Sequence, residues 1–179
     1  MRELSFQILN YVSFILVAIF LGAIQSALWL QVFGYTPAPY LWLAVANYWI
    51  MFRSPVRAVI MSYLLAYVIF SMSGMPLSVI FVVLIINFAI LYVLRDRVLW
   101  AGPTQFMLAC GALAFVVPIS SIIGGWLFET VPYIEFHFFS WIVSALFTAL
   151  SALPIYYILV VLDKLTQQEA PKNTNSELI

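Results

Sequence analysis

Residues 47–99 read NYWIMFRSPVRAVIMSYLLAYVIFSMSGMPLSVIFVVLIINFAILYVLRDRVL. Two long apolar blocks, about 56–73 and 76–94, hold no charge apart from Arg57 at the edge of the first. Each has about the ~17–25 residues that a membrane-spanning helix needs. Arg53 and Arg57 stand at one end of this stretch, and Arg95, Asp96 and Arg97 at the other. Between the blocks lies an uncharged turn, Ser71-Met72-Ser73-Gly74-Met75-Pro76. If both blocks cross a bilayer, the two arginine clusters share one side and the turn lies on the other.

Extending that hairpin in both directions gives six spans, at about 8–30, 38–52, 56–73, 76–94, 104–128 and 138–162. The first apolar run is longer than the ~7–15 residues of a signal peptide, so it reads as a retained span. Gly34, Pro37 and Pro39 break the helix after it, since proline lacks a backbone donor and clashes with the preceding turn. The second span is short. It tilts little, thins the bilayer locally, or begins before Pro39. Pro55 suits the first turn of the third helix, where a missing donor costs nothing. Pro118 is expected to kink the fifth. The tail, 166–179, is polar and expected to be disordered.

Composition agrees. The 179 residues are 65% hydrophobic and 8% charged, against about 25% charged in a soluble domain. Too few charges remain to cover a water-facing surface. The fold class expected is therefore all-α, a polytopic bundle of six transmembrane helices in one domain, 1–165. The formal net charge of zero excludes a nucleic-acid partner, because nothing would neutralise a run of phosphates.

Charge sidedness tests the count independently. With six spans and an inside N-terminus, Arg2, Arg53, Arg57, Arg95, Arg97, Lys164 and Lys172 all fall inside. Of acidic, basic and histidine side chains, the outside loops hold only Glu129, Glu135 and His137. That is the positive-inside distribution without exception, and a miscounted span would destroy it. Both termini are expected in the cytoplasm. Arg53, Arg57, Arg95 and Arg97 read as topology determinants in basic loops.

No catalytic constellation stands out, and the chain reads as no enzyme. His137 and Glu135 sit two residues apart in a short exterior loop with no further candidate ligand nearby in sequence, so no metal or cofactor is expected. Cys110 lies in an apolar run and reads as a small buried hydrophobe. Ser120 and Ser121 lack a base and read as packing or backbone-satisfying hydroxyls beside Pro118. Asn47 and Asn87 read as interhelical hydrogen-bonding groups.

Small residues do recur at helical spacing. Ser62 and Ala66 are four apart, Ser140, Ser144 and Thr148 repeat every four, and Ser121 and Gly125 repeat the pattern. Such a face lets backbones approach closely. It serves either packing within this bundle or docking of a helix from another protein.

The stretch Ser62-Tyr-Leu-Leu-Ala66-Tyr-Val-Ile-Phe70-Ser-Met-Ser73-Gly74-Met-Pro76-Leu77-Ser78 resembles the signature of the MreD family, small integral-membrane subunits of the bacterial rod-shape machinery. Ser73-Gly74 and Leu77 match that signature. Ser62 and Ala66 stand where glycines are common, Phe70 where an aspartate is common, and Ser78 where a glycine is common. The Trp-rich second span ending in a basic turn and the Arg-x-Arg loop after the fourth also fit. The resemblance covers most of the chain by layout and this one stretch by motif.

It implies a non-enzymatic partner of MreC in the bacterial inner membrane, acting with RodA, a class B penicillin-binding protein and the MreB filament. Ser62, Ala66, Ser140, Ser144 and Thr148 are then the expected face for the MreC transmembrane helix. The family fold is similar to the substrate-capture subunits of energy-coupling-factor transporters. A vitamin-binding subunit is accordingly the alternative. It would need polar and aromatic groups converging at the outer ends of the spans, where Tyr133, His137, Trp126 and Asn87 are candidates.

Overall fold

The computed structural model describes residues 2–95, 102–128 and 137–166. All regular elements among them are helical. The first run is α1 (Arg2–Ala23), a π-helical turn (Ile24–Leu28) and α2 (Trp29–Phe33). Then come α3 (Leu41–Phe52), α4 (Pro55–Met72), α5 (Leu77–Arg95), α6 (Pro103–Phe128) and α7 (Phe138–Leu165). The run from Phe6 to Phe33 and helices α4 to α7 are each long and apolar enough to cross a membrane. Gly34, at a left-handed φ of +60°, ends the first run, a backbone conformation that costs a glycine little.

The short second span has a physical reason. Every residue from Leu41 to Met51 is buried. α3 packs against α1, α4, α5, α6 and α7. A helix apolar on all sides belongs inside a bundle, so α3 need not match the bilayer by its own length. The chain reaches it through a segment without regular secondary structure, Thr36 to Tyr40. The Tyr40 amide donates to Thr148 Oγ1 on α7 at 2.9 Å, and the Leu41 amide donates to Gln25 Oε1 at 3.1 Å. These bonds satisfy donors that α3 cannot pair internally.

Two distant anchors set the direction of α3. Tyr40 meets Thr148 at one end and Arg53 meets Asp163 at the other. At ~1.5 Å per residue the two segments span about 20 and 22 Å, so α3 and α7 run side by side in the same sense. Second and sixth spans must do so in a six-crossing chain. Asn10, early in α1, bonds Asp163 and Thr166 at the end of α7. The first and last helices therefore bring their outer termini to one end of the bundle, with Arg53 and Arg95.

The other helices pack through small residues. α6 lies along α7 with Gly111 against Ala149 and Ala145, and along α5 with Gly124 against Val79 and Val82. α6 continues helically through Pro118. Ser120 donates to the Val116 and Val117 carbonyls, and Ser121 to Val117, at 2.8–2.9 Å. Both hydroxyls thus spend their donors on carbonyls of their own helix. Tyr48, Phe106 and Tyr156 form a buried aromatic cluster, with ring centroids 5.3–6.2 Å apart.

Candidate functional site

The main polar site is a clasp at the arginine end. Asp163 sits on the buried face of α7, with Ile155, Tyr156 and Leu159 before it, and is 0% exposed. Arg53, the residue that closes α3, makes a buried ion pair with it. The Tyr48 hydroxyl donates to Asp163 Oδ2 at 2.6 Å. Asn10 Nδ2 donates to Asp163 Oδ1 at 3.1 Å and to Thr166 Oγ1 at 2.7 Å. One carboxylate thereby ties α1, α3 and α7.

Arg95 extends the clasp to α5. Its guanidinium donates to the Arg53 carbonyl at 2.9 Å and the Ile50 carbonyl at 3.4 Å. These are end carbonyls of α3, which have no partner within their own helix; a cation is also favoured beside a helix C-terminus. Arg53 lies 5.7 Å from the Trp49 ring centre, and Arg95 5.7 Å from that of Tyr92. What the arrangement does chemically is fasten. It surrounds a buried carboxylate of α7 with donors from α1 and α3 and closes the bundle at one end.

This site differs from the sequence reading in two respects. The sequence reading puts Asp163 just past the sixth span and Thr166 in the tail, yet both are buried in the bundle, because the helix outlasts the hydropathy signal by one turn. Arg53 and Arg95 are expected in basic loops, yet both are built into the packing, which leaves their expected part in topology as it stands. Arg57, on the first turn of α4, is half-buried. Arg97 lies outside the described residues, as do 167–179, Glu129, Tyr133 and Glu135. A legible signal for the clasp existed. The spacing Ala152, Ile155/Tyr156, Leu159, Asp163, Thr166 carries the apolar face of α7 straight through the aspartate, and a charge on such a face needs a partner.

The small-residue face is largely consumed inside the fold. Ala66, Ser144 and Thr148 are buried by this chain's own helices. Thr148 accepts from the Tyr40 amide and donates to the Ser144 carbonyl at 2.6 Å. Ser62 and Ser140 keep an open side. The spacing alone could not tell an internal seam from an external one.

At the opposite end from the clasp, Gln25, Tyr40, Trp42, Ser73, Met75 and Val117 line a cavity of about 110 Å3. A smaller one of about 40 Å3 adjoins it, sharing Gln25, Trp42 and Ser73. The Ser73 hydroxyl is buried with no hydrogen-bond partner among the described residues. Asn47 bonds Cys110 Sγ across α3 and α6 at 3.4 Å, as an interhelical role requires. Asn87 instead bonds the Val83 carbonyl of its own helix. Cys110 is buried. His137 is exposed at the start of α7. Among the described residues no three His, Cys, Asp or Glu side chains converge on a metal position.

Compared with known proteins, the chain matches no family model, no curated protein and no solved structure.

Proposed function

We propose that this chain is a non-enzymatic membrane subunit of the bacterial cell-elongation machinery, binding MreC and helping to couple peptidoglycan synthesis to the MreB filament. RodA and a class B penicillin-binding protein belong to the wider complex. The observation that carries the reading is the α4–α5 hairpin. The MreD-like stretch Ser62 to Ser78 comprises the end of α4, the short turn 73–76 and the start of α5, which is the layout the resemblance implies. The chain is held in the bacterial inner membrane with both ends cytoplasmic in this reading, and the seven Lys and Arg favour that orientation.

Vitamin capture is the alternative. It draws on the cavity at Gln25, Tyr40 and Trp42, but about 110 Å3 is well below the ~300–1,000 Å3 usual for ligand pockets. That disparity favours the shape-machinery reading.

Because Ala66, Ser144 and Thr148 are internal, this reading puts the MreC helix along α7 beside Ser140, which has an open side. The test is co-purification of tagged chain with MreC from membranes. Wild type is expected to recover MreC, and Ser140→Leu to recover at least fivefold less at equal expression. No recovery by wild type would reject the reading. Equal recovery by both would move the contact off α7.

A further inference from the structure

Tyr63 and Tyr67 occupy an unusual depth. α4 has 18 residues, about 27 Å at ~1.5 Å per residue, and the two tyrosines lie roughly 12 and 18 Å from its start. Both are therefore near the middle of the span. Tyrosine is ordinarily favoured at the membrane–water interface, where its hydroxyl meets water. Yet both side chains open outward from the bundle, 52% and 46% exposed. They are also pinned. Tyr63 stacks on Phe81 of α5 with centroids 5.6 Å apart, and Tyr67 meets the same ring edge-on at 6.4 Å.

Their hydroxyls are 2.8 Å apart and hydrogen-bonded. A pair of hydroxyls has two O–H donors, and the bond between them uses one. The other has no acceptor among the described residues. In hydrocarbon an unpaired polar group is costly. Lipid does not relieve it, because acyl tails carry no acceptor and the ester oxygens lie beyond a core whose half-thickness is ~15 Å.

We infer that the α4–α5 face is an interface between two copies of this chain, closed by a ring of four tyrosine hydroxyls at mid-membrane depth. Two copies inserted in the same sense are related by a twofold axis along the membrane normal, so equal depths meet. Two hydroxyl pairs then supply four donors and at least four acceptors, and a closed ring satisfies every one. Another protein's helix would need an acceptor at that same height; a second copy brings it necessarily. The surroundings suit self-association. Val59, Ser62, Phe81, Leu84, Ile85 and Phe88, with Tyr63, line an open groove of about 250 Å3 between the two helices. None is charged, so no like-charge repulsion opposes the match. Ser62, small and part-open, lets the facing helix come close.

The test uses the purified full-length chain in lipid bilayers at graded protein density, with association read by single-molecule photobleaching. A Tyr63→Phe/Tyr67→Phe variant keeps both rings and the groove and removes only the hydroxyls. Wild type is expected to form dimers, and the double variant to associate at least tenfold more weakly while melting at the same temperature. As a geometric check, Ser62→Cys is expected to cross-link to itself under oxidation, Cys110 being fully buried, whereas Leu146→Cys on α7 is not. A wild type that stays monomeric at all densities would overturn the proposal. So would dimers indifferent to the double variant, or cross-linking at Leu146 instead of Ser62.

Discussion

Asp163→Ala is expected to be the most damaging single substitution in the chain, lowering stability by about 3–5 kcal/mol. That is the usual cost of breaking a buried ion pair by removing one partner. Here the loss is compounded. Arg53 would be left as a buried cation, and Tyr48 and Asn10 would each lose an acceptor. An unpaired buried donor costs roughly 1–3 kcal/mol. Replacing both charges behaves differently, since apolar residues of similar volume often match or exceed a buried pair. Arg53→Met with Asp163→Leu is therefore expected to recover a large part of what Asp163→Ala loses. Denaturant titration in detergent, run on the single and double variants, measures both effects. A double variant no better than the single would mean that neighbouring hydrogen bonds, and not the pair, hold the clasp.

Gly124→Val is expected to have the next largest effect, about 1–3 kcal/mol or more, the range for overfilling a packed site. A Cβ at Gly124 would already lie 3.2 Å from Val79 Cα and 3.3 Å from Val82 Cβ. Val79 Cα is backbone, so relief requires α5 to move away from α6. Two further methyls increase that displacement. Gly74, in the turn between α4 and α5, has nothing within 4 Å of its Cβ position, and Gly74→Ala is expected to change stability by less than about 0.5 kcal/mol. Thermal melting of the two variants side by side separates crowding from any general intolerance of glycine replacement. Equal melting temperatures would refute the close α5–α6 contact.

The helices were legible because apolar length and breakers act locally. Pro55, Pro76 and Pro103 mark helix starts to within one residue, and α4, α5 and α6 follow the expected bounds closely. α7 runs three residues past the expected end, because hydropathy stops counting at Asp163 while the buried face does not stop. α3 seemed short for a span only because length was compared with a bilayer that this helix, enclosed by five others, does not face. Which side a small-residue face presents was not legible. Spacing of four puts Ser144 and Thr148 on one stripe but carries no sign for inward or outward. The clasp joins Asn10, Tyr48, Arg53, Arg95 and Asp163 over more than 150 positions of chain, and no local pattern links them. Tyr63 and Tyr67 were visible at four-residue spacing, but their exposure depends on where α5 lies.

A single closed bundle with an even number of crossings underlies all of these expectations. Reporters fused before Met1 and after Ile179, scored for labelling by a membrane-impermeant reagent in intact cells, test it most directly. Both are expected to stay protected until the membrane is opened, since α1 and α7 meet at Asn10, Asp163 and Thr166 on the side rich in arginine. Labelling of one terminus but not the other would contradict the six-crossing bundle.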